Sequence, residues 1–154
     1  PLPLELLVAG RVSPQVRAAW EGSRHAASLQ VTFAGLITPG EIPTLDRSAH
    51  LLYSSDINAA CPNSVVEALA CGLPVLAFDT GALPELVTGD AGRVVAYGGD
   101  PWRLEPADVP GLARAGLELL ANQPAHRRAA RQRAEQALGL EAMVDKYLRV
   151  LLDD

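Results

Sequence analysis

Short β-rich runs alternate with longer amphipathic stretches over the first two thirds of this sequence, and glycine or proline marks nearly every joint. That alternation predicts an α/β protein built on a doubly wound parallel sheet. Three helix-patterned segments follow one another after residue 108 and add a helical carboxyl-terminal tail.

Strands are expected at residues 4–9, 29–34, 50–54, 74–78 and 93–97, each apolar enough on both faces to lie in a sheet covered by helices. Helices are expected between them near 14–27, 40–48, 63–71 and 82–88, with Gly10, Gly35, Gly72, Gly81 and Gly89 at the turns. The run GGDPWRLEPADVPG reads as an ordered loop, with Trp20 and Trp102 as packing anchors. Helices near 109–122, 124–137 and 139–152 complete the chain. In the last of these, Leu140, Met143, Tyr147, Val150 and Leu151 form one apolar stripe, expected to be covered only in part by this chain. Residues 1–154 thus read as a single domain whose ligand lies beyond the carboxyl ends of the strands.

The chain has 154 residues, 49% of them hydrophobic and 20% charged, enough for one packed core. Its net charge of −5 carries no continuous positive field, which argues against nucleic acid as a partner. Cys61 and Cys71 stand ten residues apart without a CxxC pair and read as reduced, cytosolic thiols. His25, His50 and His126 lack metal-ligand spacing, so no metal and no cofactor is expected. No apolar run approaches the roughly 18 residues of a spanning helix, which leaves peripheral membrane contact to parts outside this chain. Lys146 is the only lysine, and this arginine bias points to a GC-rich bacterial genome. The start at Pro1, with a strand-like run almost at once, reads as an excised piece.

Residues 53–92 carry the chemistry. Pro62 suits the first turn of a helix, where its missing N–H is no loss, and Asn63 and Ser64 offer side chains to the free donors of that turn. Gly72 closes the helix in the left-handed conformation and Pro74 directs the exit into a strand. The amino end of such a helix favours an anion such as a pyrophosphate. Glu67, about one turn inside, supplies a charged acceptor for the vicinal hydroxyls of a ribose. Gly81, in the downstream turn DTGALPE, lets backbone approach a ligand closely, and Glu85 follows on a short helix.

The run CPNSVVEALACGLPVLAFDTGALPELV resembles the signature of the group 1 glycosyltransferases of the GT-B fold. Upstream, LQVTFAGLITPGEIPTLDRSAHLLYSS is similar to the stretch leading into that family's site loop, so the resemblance covers nearly the whole chain. It implies a Rossmann-like carboxyl-terminal domain that binds a nucleotide-sugar donor in a retaining transfer. Glu67 then matches the ribose glutamate, the backbone of Pro62, Asn63, Ser64 and Val65 the loop facing sugar and diphosphate, and Leu36 and Ile37 the edge of the nucleobase. Two departures stand out. Ala59, eight residues before Glu67, replaces the acid usually directed at the donor sugar, leaving Asp56 and Asn58 as the groups able to reach that space. The resemblance begins at the second strand of the family's domain, so the first βα unit, with its diphosphate-binding Arg and Lys, and the amino-terminal acceptor domain are expected outside the chain.

Simpler roles stand beside these. Glu67 and Glu85 can be helix-start charges, the cysteines small core residues, and Arg127, Arg128, Arg131 and Arg133 one solvated helix face. The competing functions are a non-catalytic nucleotide-sugar-binding homologue, favoured by Ala59, and a flavodoxin-like interaction module, disfavoured because AGRVSP after the first strand lacks a receiver's acidic cluster.

Overall fold

The computed structural model describes residues 3–23 and 25–152. Backbone contacts divide the chain into two compact units, Pro1–Ile42 and Pro43–Asp154.

The first unit is a β–α–β element of β1 (Glu5–Ala9), α1 (Pro14–Glu21) and β2 (Gln30–Gly35). The strands pair in parallel from Glu5↔Gln30 to Val8↔Phe33, and after a shift in register the Gly10 N–H donates to the Gly35 carbonyl at 2.7 Å. Ser13 caps α1 by accepting from the Val16 N–H at 3.2 Å, with Pro14 next in the chain. The helix stops at Glu21, well short of residue 27. Gly22 forms its C-cap, and the chain then turns so that the His25 carbonyl accepts from the N–H groups of Ser28 and Leu29. None of the described residues of this unit is buried, contrary to strands covered on both faces; Leu6 and Leu7 of β1 are exposed.

The second unit starts within α2 (Ile42–Ser48) and continues through β3 (Leu52–Tyr53), α3 (Asn63–Ala70), β4 (Val75–Phe78), α4 (Leu83–Leu86), β5 (Gly92–Val95), α5 (Val109–Ala121), α6 (Gln123–Ala137) and α7 (Leu140–Leu152). Its sheet is parallel in the order β3-β4-β5, paired from Leu52↔Val75 and from Val75↔Gly92 to Phe78↔Val95. All four residues of β4 are buried, and successive side chains of a strand point to opposite faces. Val75 and Ala77 therefore join Val65, Leu69, Leu83, Ala130 and Ala134, while Leu76 and Phe78 join Tyr97, Leu112 and Leu119. Helices cover both faces of this sheet, as double winding requires.

α6 also ties together helix ends. Arg127 donates to the Arg47 and Ala49 carbonyls at 3.4 and 2.8 Å, at the end of α2. Arg131 donates to the Ala70 carbonyl at the end of α3, and Arg133 to the Glu85 and Leu86 carbonyls at 2.6 and 3.1 Å at the end of α4. Helix carboxyl ends leave carbonyls without intrahelical partners, and guanidinium groups satisfy them well. Three of the four arginines expected on a solvated face are thus structural, and Arg128 alone is exposed without such a bond among the described residues. Trp102 is no packing anchor: it is 79% exposed, on a loop pinned by its own N–H to the Asp100 carboxylate at 2.9 Å. The five stripe residues of α7 are 47–82% exposed, in keeping with the partial covering expected of them.

Candidate functional site

In the second unit, the loops leaving the carboxyl ends of β3 and β4 are bound to each other. The Ala82 N–H donates to the Ala59 carbonyl at 2.8 Å, and the buried Thr80 hydroxyl to the Asp56 carbonyl at 3.5 Å. Gly81, at φ +55°, makes the approach feasible, since a Cβ there would strike the Ala59 carbonyl and lie 2.8 Å from the Asn58 carbonyl carbon. The close approach expected of Gly81 is therefore to the protein's own backbone. Asn58 takes a left-handed conformation itself, at φ +63°, and is half-buried, while Asp56 is exposed.

α3 begins differently from expectation. Pro62 is the N-cap, at φ −72° and ψ 114°, and no side chain caps the helix. A capping acceptor must stand on the residue entering the helix, and proline has none; Asn63 and Ser64 already belong to the first turn. Val65 and Val66 donate to the Pro62 carbonyl at 3.0 and 3.3 Å, and among the described residues no side chain closes the amino end. At the other end Gly72, at φ +69°, donates to the Leu69 carbonyl at 3.0 Å, and Leu73 to the Ala68 carbonyl at 2.8 Å. This pair of bonds is the Schellman closure expected of that glycine.

Glu67 lies in the middle of α3, exposed, and its carboxylate makes no hydrogen bond or ion pair among the described residues. Beside it stands Asp46 of α2, whose relation to Glu67 no local pattern announces. One Asp46 carboxyl oxygen is buried without a partner among the described residues. Burial, reinforced by the charge of Glu67, pushes the Asp46 carboxyl above the ordinary aspartate range, against a hydrogen bond from Cys71 and the charge of Arg47. Burial and the Asp46 charge likewise push the Cys71 thiol up, so it stays protonated and is a poor nucleophile. Glu85 sits in the single turn of α4 with an exposed side chain, its main-chain carbonyl held by Arg133.

Leu36 and Ile37 belong to the first unit. Leu36, 67% exposed, lines an open cleft of about 570 Å³ together with Gly10, Arg11, Val12, Ser13, Arg17, Phe33 and Gly35. Across it the Arg17 guanidinium lies 4.5 Å from the centroid of the Phe33 ring. No local pattern singles out either arginine, because the stack depends on α1 folding back onto β2.

Residues 2–122 match the family described as glycosyl transferases group 1. The chain belongs to that family. Among solved structures this group 1 glycosyl transferase chain is similar to sucrose-phosphate synthase from Thermosynechococcus elongatus, with 22% identity and a TM-score of 0.74 over 97% of the chain and 39% of that structure. It is also similar to a TarM variant from S. aureus, solved with fondaparinux, alpha-GlcNAc-glycerol and UDP, with 16% identity, a TM-score of 0.71 and coverage of 97% and 29%. WaaG, a glycosyltransferase involved in lipopolysaccharide biosynthesis, matches with 21% identity, a TM-score of 0.69 and coverage of 97% and 38%. Such identities show a shared fold, and the chain spans well under half of each of these structures. A search of curated proteins gave no match. Among the described residues of this family member, no group of three His, Cys, Asp or Glu side chains is placed to hold a metal ion, and no helix is long and apolar enough to cross a membrane.

Proposed function

We propose that this chain is the donor-binding half of a retaining GT-B glycosyltransferase acting in the cytoplasm. The enzyme moves a sugar from a nucleoside diphosphate sugar to an acceptor held by sequence outside this polypeptide. One observation carries the reading: α3, inside the family-matched segment, starts without a side-chain cap and presents Glu67 with an unclaimed carboxylate about a turn further on. Free N–H groups and the positive end of the helix dipole suit the diphosphate, and the carboxylate suits the ribose diol. In this reading the backbone of Pro62 to Val65 serves the diphosphate and the sugar, Leu36 and Ile37 of the first unit are assigned to the base, and Glu85 to the donor. The protein's share of the chemistry is positioning and stabilisation of the departing diphosphate, with no metal or cofactor. The UDP held by the TarM variant is in keeping with such a donor.

Calorimetric titration of the intact protein with UDP, GDP and ADP tests this. Glu67→Gln removes a charge-assisted acceptor, which costs about 1.5–3 kcal/mol, or roughly a tenfold to hundredfold loss for every nucleotide that carries a ribose. Unchanged affinity in that variant would remove the centre of the reading. A second reading, a nucleotide-sugar-binding protein without transferase activity, is favoured by Ala59, which offers no carboxylate to the donor sugar. It predicts nucleotide binding without turnover in the intact protein, whereas the first predicts both.

A further inference from the structure

The exits of all three strands of the second unit's sheet meet at one short turn, residues 79–82, at the carboxyl end of the middle strand β4. On one side Asp79 holds the exit of β5. Its N–H donates to the Val95 carbonyl at 2.9 Å, and its carboxylate accepts from the Tyr97 N–H at 2.8 Å. The Tyr97 hydroxyl donates in turn to the Glu105 carbonyl at 2.8 Å, so the loop before α5 is held as well. On the other side the turn holds the exit of β3. Ala82 bonds the Ala59 carbonyl, and the Thr80 hydroxyl, on a residue only 3% exposed, points to the Asp56 carbonyl. β3 pairs with β4 through Leu52 and Tyr53 alone, so the sheet does little to fix the residues that follow it. Glu67 and the rest of α3 take no part in these bonds.

Resting on the donor reading, with Asp56 and Asn58 serving the sugar, we infer that Thr80 and Gly81 are positioning residues for the sugar end of the donor. They act through the loop of residues 56–59 and leave the ribose end to α3. Gly81, at φ +55°, and Asn58, at φ +63°, are left-handed residues in contact across the two loops. A Cβ at position 81 would stand 2.7 Å from the Ala59 nitrogen, a main-chain atom that no rotamer change moves aside. The loop would have to retreat by roughly 0.7 Å to reach ordinary contact at 3.4 Å. Hydrogen bonds from hydroxyl groups hold over a range of about 0.5 Å, so a shift of that size breaks contacts to a sugar. Asp79 anchors the same turn to β5, which makes the loop, rather than the turn, the part that yields.

The test is calorimetric titration of the intact protein with three pairs: UDP and UDP-glucose, GDP and GDP-mannose, ADP and ADP-glucose. It is run on the parent, Gly81→Ala, Thr80→Val and Thr80→Ser, with hydrogen exchange at the Ala82 amide as a readout that needs no ligand. In the pair that binds the parent most tightly, Gly81→Ala is expected to lower sugar-nucleotide affinity by about tenfold, the loss of one or two hydrogen bonds. The nucleoside diphosphate of that pair should change by less than about twofold, which also shows that the variant is folded. Exchange at Ala82 should quicken in the same variant. Thr80→Val keeps the buried shape without the hydroxyl and is expected to act in the same direction, with Thr80→Ser restoring the parent's affinity. Should Gly81→Ala fail to fold, the contrast between Val and Ser at position 80 decides. Equal losses for both members of the pair make the turn a support of the whole fold and overturn the proposal. So does sugar-nucleotide binding at the parent's level in Gly81→Ala and Thr80→Val. Either result leaves the donor reading standing if Glu67→Gln still weakens the nucleotides. An intact protein that binds no nucleotide overturns both.

Discussion

Asp46 and Glu67 place two carboxyl groups near one another at the joint of α2 and α3, and only one of them has a functional use in the proposed reading. Asp46 holds its proton more strongly in the folded chain than an ordinary aspartate. Its ionisation therefore costs folded stability as pH rises through that raised value, and the cost is absent below the ordinary value of about 3.9. Asp46→Asn is expected to raise the melting temperature at pH 7 and to leave it unchanged at about pH 3; a variant less stable than the parent at pH 7 would show that the carboxylate is held by partners after all. Asn58 presents the opposite problem, because its left-handed backbone gives it a structural task whatever else it does. If Asp56 and Asn58 serve the donor sugar, Asp56→Asn and Asn58→Gly should depress turnover or sugar-nucleotide binding and leave nucleoside diphosphate affinity as it was. Asn58→Gly keeps the turn, whereas Asn58→Ala adds strain of about 1–2 kcal/mol. A full return of activity on going from Ala to Gly would assign Asn58 to the loop alone. At this scale the placement of Glu67 on a short helix was legible, since Pro62 and the closing Gly72 flank it in the chain. Asp46 beside Glu67 and Arg17 on Phe33 are products of tertiary contact and left no local trace.

Among the elements, boundaries set by glycine and proline were the most legible. Gly72 and Gly81 both take positive φ where the sequence placed turns, and β4 is buried on both faces as its unbroken apolar run implied. The exceptions have physical causes. α1 ends early because Gly22 forms its C-cap, and β3 spans only two residues at one edge of its sheet. α6 is the more instructive exception. Its arginines look like a solvated face because the groups they bind are main-chain carbonyls, invisible to any reading of side-chain pattern. Arg133→Ala, which strips two carbonyls at the end of α4 of charge-assisted donors, is expected to lower stability by about 1.5–3 kcal/mol in urea unfolding. Arg128→Ala, on the same helix, should stay within about 0.5 kcal/mol of the parent. Equal effects would return the whole row to the role of surface charge.

At the scale of the molecule, the second unit holds every buried hydrophobic residue described, while the first consists of a strand pair and a helix with none. The family match spans both, and the class of fold was readable from alternation alone. The division of contacts near Ile42 was not, because helix and strand signals run through it without a break. In the proposed reading the acceptor site and the Arg and Lys that complete the diphosphate contacts lie elsewhere, so this polypeptide alone is expected to release no glycosylated product; turnover at the rate of the intact protein would refute the assignment of a half. One further property follows from the way α6 ties the ends of α2, α3 and α4. Those bonds join residues 47 to 80 positions apart in the chain, so the brace is synthesised well after α2, α3 and α4, and those helices must wait for it. Elements that rely on distant partners close slowly and stay exposed meanwhile. On the ribosome, the segment bearing Glu67 should therefore remain open to proteases until Arg131 has emerged, and the vulnerable interval of this protein's life is its own translation.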